Sequence, residues 1–167
     1  MTATTTSARG SGLLARLGIV IPQVGLAALF VYAGASKWSD PGGFAQEIAN
    51  FQLWPALAPY LAAVLPAMEI VAGVVLLVGP GPRWRQAAAA AIFAILTLFT
   101  IAVTLAAARG LDISCGCFGT DSARVTWRTV IRNLGLLVVA GVLVGRLGMR
   151  AAVPGGPDGS ALPAASS

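Results

Sequence analysis

The residues most suited to chemistry in this sequence are two cysteines separated by a single glycine. Cys115 and Cys117 are the only cysteines, and they lie in a short polar stretch between two long apolar runs. A thiol outside the hydrocarbon can ionise and exchange with a partner, whereas a buried thiol behaves as a small hydrophobe. The chain has no histidine, so a zinc site or a Cys–His nucleophile lacks its usual partner residue. The pair therefore predicts redox or exchange chemistry and no metal site.

The residues alone leave several interpretations of the cysteine pair open. Gly116 and Gly119 supply the backbone freedom that a turn around Cys115 and Cys117 needs. A permanent disulfide here would remove little chain entropy because the loop it closes is so short. Inert reduced thiols, or cysteines that each bind a partner protein, are further alternatives. We favour a redox or exchange role because the stretch is polar and the chain has no other cysteine.

The composition predicts that the elements positioning this pair are membrane-spanning helices. With 57% hydrophobic and 10% charged residues, the chain departs from soluble proteins, in which about a quarter of the residues are charged. A helix needs about 20 apolar residues to cross a bilayer. Four stretches have this length, at residues 17–36, 57–78, 86–108 and 129–147. The fold class predicted is an all-α, integral membrane four-helix bundle over residues 13–150.

Aromatic and basic residues at the ends of the runs support these four spans. The tryptophans lie at or near span ends, as in an aromatic belt, at Trp38, Trp54, Trp84 and Trp127. Arg132 falls in the first turn of the fourth span, where its long stem can reach the interface. We therefore predict a multi-pass protein of the cell membrane.

The two ends of the chain are predicted to lie outside the bundle. Residues 1–12 are rich in Thr, Ser and Gly and indicate a disordered lead, and residues 151–167 indicate a disordered tail. The first span also resembles a secretory signal that would be cleaved near Ala33-Gly34-Ala35. Its uncharged stretch is longer than the usual signal core, so we expect it to be retained.

The distribution of Lys and Arg between the two ends of the bundle gives little information on its orientation in the membrane. With the N-terminus inside, Lys and Arg divide six to five: Arg9, Arg16, Arg83, Arg85, Arg146 and Arg150 face the cytoplasm, and Lys37, Arg109, Arg124, Arg128 and Arg132 face out. Disulfides persist outside the cytoplasm. We therefore expect both ends to be cytoplasmic and the Cys115 and Cys117 loop to be extracytoplasmic.

One acidic residue lies inside a predicted span. Glu69 is near the middle of the second span, where an ionised acid costs about 2.5–3.5 kcal/mol, so it should be protonated, paired or hydrated. Pro66 frees a backbone carbonyl three residues earlier and favours a polar pocket. Lys37 is the first candidate partner, with Arg109 or Arg132 as alternatives. Such a pair either stabilises the bundle or takes part in function, and both interpretations stay open.

Two further patterns concern packing. Phe44, Ile48, Phe51 and Trp54 recur at helical spacing in the loop of residues 37–56, which predicts either an interfacial helix or a lid packed on the bundle.

In the fourth span, two glycines at GxxxG spacing favour close helix packing within the chain, and a homodimer is the alternative. These glycines are Gly141 and Gly145.

Several short motifs together resemble a known family. They are Cys115-Gly116-Cys117-Phe118-Gly119 preceded by Arg109-Gly110, Leu65-Pro66 with Glu69, and Gly34-Ala35-Ser36-Lys37 with Phe44 and Ile48 beyond. In these residues the chain resembles the MauE branch of the DoxX-like membrane proteins, over residues 17–147. The resemblance implies a four-span protein associated with disulfide metabolism. Its name-giving members are implicated in maturing the disulfide-rich small subunit of methylamine dehydrogenase, beside a thioredoxin-like partner.

The resemblance also implies which residues and partners take part. It implies Cys115 and Cys117 as the redox residues, with Glu69 and Lys37 as lesser candidates. Because the sequence contains no Cys-x-x-Cys motif, we expect a separate, extracytoplasmic thioredoxin-like protein and a client protein as partners, besides the lipid bilayer. A quinone is a candidate electron carrier, although no motif indicates a quinone site. We expect no nucleic-acid partner, and a component of an exchange reaction rather than a stand-alone enzyme.

Two functions of other classes compete with this prediction. The first is a non-catalytic scaffold or maturation factor that holds its client through the bundle and the loop from Phe44 to Trp54. The second is a small-solute transporter built around Glu69, which four spans without inverted halves disfavour.

Overall fold

The computed structural model describes residues 6–53, 55–110 and 127–152, with side chains from residue 17 onward. This part of the chain is mostly helical, with short turns between the helices, and contains no strand. The helices are α1 (Thr6–Trp38), α2 (Pro41–Asn50), α3 (Ala58–Val78), α4 (Pro82–Ala108) and α5 (Trp127–Ala152), with a 3-10 turn at Pro55–Leu57 before α3.

Four of these helices are long and apolar enough to cross a membrane. The qualifying segments are Leu17–Ser39, Pro55–Val78, Pro82–Ala108 and Trp127–Ala152. Their outward faces are apolar, as a bilayer requires, with Val71, Ile101 and Val138 all exposed. The predicted all-α membrane bundle is therefore confirmed, and α2 is the one described α-helix too short to span.

The helix bounds differ from the predicted spans at both ends of the bundle. α1 begins at Thr6, so residues 6–12, predicted as a disordered lead, are helical. A helix that already exists extends one residue at a time without a new nucleation cost, which explains this continuation. α5 continues to Ala152. The rest of the predicted tail, residues 153–167, lies outside the described residues.

The four long helices form two antiparallel pairs. α1 packs along α3 and α4 packs along α5, while contacts of α3 with α4 and of α1 with α5 close the bundle. Large apolar side chains from all four helices meet in the centre, where Leu76, Ile92 and Leu143 are almost completely buried.

Glycines allow the backbones of α1 and α3 to approach closely. A Cβ atom on Gly34 would lie 2.7 Å from the carbonyl oxygen of Pro66, and one on Gly73 would lie 2.8 Å from that of Ala27. Real Cβ atoms do not come this close, so a larger residue at either position would push the helices apart. The contacts fix an antiparallel register in which the C-terminal end of α1 lies beside the middle of α3.

A buried amide supports the same register near the other end of the pair. The Gln23 side-chain nitrogen donates a hydrogen bond of 2.7 Å to the carbonyl oxygen of Leu76. Burying an amide in an apolar interface is costly unless it is paired. This hydrogen bond therefore favours the observed alignment over a shifted one.

The short helix α2 covers one end of the bundle. Asp40 caps its N-terminus, accepting a hydrogen bond of 2.9 Å from the backbone nitrogen of Gly43. Gln52 adopts a left-handed φ of +54° just after the helix, where the chain turns. Phe44 and Phe51 are buried against the bundle. These two residues of the predicted stripe face the protein, as in a lid, and Ile48 is half-buried. Trp54, the last residue of the stripe, lies outside the described residues.

The GxxxG glycines of the fourth span have unequal surroundings. A Cβ on Gly141 would lie 3.4 Å from the Phe93 ring on α4, whereas no described atom lies within 4 Å of one on Gly145. Gly141 therefore packs within the bundle, and a homodimer through Gly141 and Gly145 stays a prediction.

Candidate functional site

The most polar feature inside the described bundle is an ion pair between Lys37 and Glu69. The Lys37 ammonium, at the C-terminal end of α1, donates hydrogen bonds of 2.5 and 2.7 Å to the two carboxylate oxygens of Glu69 in α3. Lys37 is 3% exposed and Glu69 is 2% exposed. The pairing predicted from the sequence is confirmed, while a functional role for these residues stays a prediction.

Two aromatic rings complete the surroundings of the lysine. The Lys37 Nζ atom lies 5.2 Å from the ring centroid of Phe44 and 5.0 Å from that of Phe99. Both distances are within the range for a cation–π interaction, which contributes about 2 kcal/mol when the cation is desolvated. The ammonium from α1 therefore contacts a ring from α2, a carboxylate from α3 and a ring from α4.

This arrangement joins four helices through one charged group. A buried carboxylate and ammonium each lose several kcal/mol of hydration, and their attraction offsets this loss only where the geometry is good. Here both carboxylate oxygens are used, and Phe44 and Phe99 face the cation. The pair therefore fixes the position of α2 relative to α1, α3 and α4.

A small cavity, called the polar cavity below because four of its lining side chains are polar or charged, adjoins the ion pair. It has a volume of about 40 Å³ and is lined by Lys37, Glu69, Arg132 and Asn133, together with apolar side chains of α1, α4 and α5. Arg132, one of the alternative partners for Glu69, thus lies at the same site. Arg109, the other alternative, is exposed after the end of α4.

A second, mostly apolar cavity also borders Phe99. Its volume is about 80 Å³, and Phe44, Ile48, Phe51 and Phe99 are among its lining residues. It lies between α2, α3 and α4, directly beneath the lid. Phe99 lines both cavities.

Sequence reasoning missed three of the residues at this site. Phe99 and Asn133 lie in apolar spans where no spacing distinguishes them from lipid-facing or core positions. The sequence places Phe44 in the apolar stripe of the loop at residues 37–56 but does not associate it with Lys37. The available signal for Asn133 was its type, since an amide inside a span is costly unless it has a polar partner.

The predicted redox residues, Cys115 and Cys117, lie outside the described residues. The helix ends on either side of them are described: α4 ends at Ala108 and α5 begins at Trp127. Near these ends a buried apolar cluster joins α4 and α5 to the residue after α2, through Phe51, Val103, Ala106 and Val130. The chain therefore leaves α4 and enters α5 at the end of the bundle that α2 covers.

The described residues contain no cluster of three or more metal-ligating side chains drawn from His, Cys, Asp and Glu. Their polar chemistry is concentrated in the ion pair, the cavity beside it and the basic residues at the helix ends.

The sequence matches one protein family over most of its length. The family model for methylamine utilisation protein MauE matches residues 15–146. A methylamine utilization protein MauE of Paracoccus denitrificans is 38% identical over 135 residues, which cover 79% of this chain and 70% of that protein. Its counterpart in Paracoccus versutus is 35% identical over 140 residues, covering 81% and 70%. No solved structure matches the chain significantly.

Proposed function

Because this chain belongs to the MauE family of multi-pass membrane proteins, we propose that it supports methylamine utilisation through thiol–disulfide exchange outside the cytoplasm. Cys115 and Cys117 carry the exchange. One observation supports this assignment above the others: the chain leaves α4 and enters α5 at the bundle end covered by α2. In the sequence, Cys115 and Cys117 fall between the last residue of α4 and the first residue of α5, which supports their assignment to the connection between these two helices.

The proposed reaction is an exchange with a thioredoxin-like protein. The thiolate of one cysteine attacks the partner's disulfide, which forms a mixed disulfide and releases one partner thiolate. The second cysteine then attacks the mixed disulfide and releases the other partner thiolate. The Cys115 and Cys117 dithiol becomes a disulfide, and the partner's disulfide becomes a dithiol. The same steps in reverse pass oxidising equivalents from this chain to the partner.

A client protein and an electron carrier complete the proposed pathway. The client that the family resemblance implies is the disulfide-rich small subunit of methylamine dehydrogenase. In the oxidising direction, the reduced cysteine pair must lose two electrons and two protons before the next cycle. A membrane quinone is a carrier of suitable chemistry, since it becomes a quinol by accepting both.

The Lys37–Glu69 pair has a supporting role in this proposal. It holds α2 over the end of the bundle through Phe44, as the 5.2 Å distance from the ammonium to that ring indicates. A fixed lid gives the partner protein a defined surface beside the connection that carries the cysteines. Loss of the pair would then weaken partner binding without removing a reacting group.

Trapping of mixed disulfides tests the proposed reaction. Cys115→Ser and Cys117→Ser are expressed separately in cells grown on methylamine, and disulfide-linked complexes are isolated after acid quenching. We expect a thioredoxin-like protein to be captured by the variant that keeps the attacking cysteine and lacks the resolving one. In the other variant no mixed disulfide with the partner should accumulate, because the cysteine that remains is the resolving one and cannot start the exchange.

A misplaced cysteine serves as the matched control. Ala56→Cys in a Cys115→Ser and Cys117→Ser background places a single exposed thiol at the α2 end of the bundle. This variant should not capture the partner. Equal capture would show that any accessible thiol suffices, and capture by neither single variant would support the non-catalytic scaffold instead.

A further inference from the structure

An asparagine inside the bundle has a side-chain amide without a hydrogen-bond partner among the described residues. Asn133 in α5 is 3% exposed, and its side-chain amide forms no hydrogen bond with any other residue in the described part of the chain. A buried amide without partners costs about 1–3 kcal/mol. The position of Asn133 therefore needs an explanation beyond packing.

The amide of Asn133 faces the polar cavity beside the ion pair. In the described ranges, no side-chain nitrogen or oxygen atom is both fully enclosed by protein and without a hydrogen-bond partner. The unpaired amide of Asn133 must therefore border open space. Because Asn133 lines the cavity of about 40 Å³ that also contacts Lys37 and Glu69, this cavity is the space it borders.

The size and chemistry of the cavity fit water. One water molecule needs about 10–15 Å³ of such space and two to four polar partners, so a cavity of about 40 Å³ has room for as many as three. The Asn133 amide offers two donors and an acceptor. Lys37 retains a third N–H, and each Glu69 oxygen retains a lone pair beyond its hydrogen bond to Lys37.

The neighbouring apolar cavity provides a contrast. It is larger, at about 80 Å³, and its lining residues are apolar apart from Glu47. A mostly apolar cavity holds water less well, because a water inside it finds few hydrogen-bond partners. Polarity rather than volume therefore distinguishes the two sites.

We propose that the polar cavity is a water-binding site, in which ordered water bridges the Asn133 amide to the Lys37–Glu69 ion pair. This site is independent of the proposed exchange reaction. Bound water satisfies the amide and supplies hydrogen bonds to both charges. The bound water also carries exchangeable protons and lies beside the Glu69 carboxylate, which belongs to the membrane-spanning helix α3.

Radiolytic hydroxyl-radical labelling in ¹⁸O water tests this site in the intact chain, purified in detergent micelles. Radicals generated from bound water modify side chains that bulk solvent does not reach. Leu96 lines the polar cavity and is 6% exposed, whereas Leu26 belongs to the apolar core and is 3% exposed. These two leucines have the same intrinsic reactivity and are both buried. We expect severalfold more ¹⁸O incorporation at Leu96 than at Leu26, and labelling of the buried ring of Phe30, which also lines the cavity.

Equal labelling of Leu96 and Leu26 in the unmodified protein would overturn the proposal, and this comparison does not depend on any variant. Asn133→Leu provides a second comparison because it removes the amide and fills the cavity with an apolar side chain. In the folded variant, labelling of Leu96 should fall to the level of Leu26. Gln23→Leu is the matched control, since it removes a buried amide that does not line the cavity. Labelling of Leu96 that survives Asn133→Leu, with helical content retained, would contradict the bridging role of Asn133.

Discussion

Removing the charge of Lys37 should destabilise the bundle far more than an ordinary substitution at a helix end. Lys37→Met keeps the length and apolar stem of the side chain but removes both hydrogen bonds to Glu69, of 2.5 and 2.7 Å. It also removes the cation from between Phe44 and Phe99. Because Glu69 is 2% exposed, its carboxylate would be left without compensation. Breaking a buried pair in this way costs about 3–5 kcal/mol.

Removing the charge of Glu69 instead should lower the free energy of unfolding by less. Glu69→Gln leaves a carbonyl oxygen that still accepts one hydrogen bond, and the rings of Phe44 and Phe99 still face the ammonium. We expect a loss of about 2 kcal/mol, in the range for a hydrogen bond to a charged group. The double variant should lose about 3 kcal/mol rather than the sum of the two, which gives a coupling free energy of about 3 kcal/mol.

The free energy of unfolding can be measured by titrating SDS into detergent micelles and following helical circular dichroism. Gln23→Leu is a neutral control at the same α1–α3 interface, where one hydrogen bond to the Leu76 carbonyl is lost. It should cost about 1 kcal/mol. A loss below about 1 kcal/mol for Lys37→Met would refute the reasoning, as would additive effects in the double variant, because either result means that the two charges do not depend on each other.

Three further predictions concern packing, the aromatic contact and topology. Gly34→Ala should lower the free energy of unfolding by about 1–3 kcal/mol because its Cβ would meet the α3 backbone, whereas Gly145→Ala should change it by less than about 0.5 kcal/mol; equal effects would argue against the close α1–α3 contact. Phe99→Leu should lower the free energy of unfolding by about 2 kcal/mol in wild type but by clearly less in Lys37→Met, where the ring has no cation to face. An equal loss in wild type and in Lys37→Met would show that the cation–π interaction does not contribute. A membrane-impermeant maleimide should label reduced Cys115 and Cys117 in intact cells, and labelling that appears after lysis alone would reverse the predicted orientation.

The spans and the ion pair were predictable because the hydrocarbon limits what a sequence can place inside it. A span must have about 20 apolar residues, so the four runs define the long helices closely, although the helical ends beyond the bilayer are not constrained in this way. Glu69 needed a cation, and Lys37 at the end of the preceding span was the nearest candidate. The structure confirms that choice with two short hydrogen bonds.

The residues around the pair were predictable only in part. Apolar positions in a span look alike, so nothing distinguished Phe99, whereas the amide of Asn133 indicated a polar partner but not which one. Phe99 and Asn133 become part of the site through the angles and register at which α4 and α5 pack, and periodicity does not encode these. The apolar stripe that contains Phe44 and Phe51 was equally consistent with an interfacial helix and with a lid. Both rings are buried against the bundle, which indicates a lid. The role of Cys115 and Cys117 stays a prediction, since these residues lie outside the described part of the chain.

The disulfide state of the client tests the central claim most directly. Cells grown on methylamine, in which this chain is the only copy of its family, would carry either the natural sequence or Cys115→Ser with Cys117→Ser. Free thiols in the methylamine dehydrogenase small subunit would be counted by alkylation and mass spectrometry, with membrane levels of both variants matched. We expect the client to accumulate with unpaired thiols when both cysteines are replaced. A fully oxidised client at normal levels in the double variant would contradict the proposed exchange.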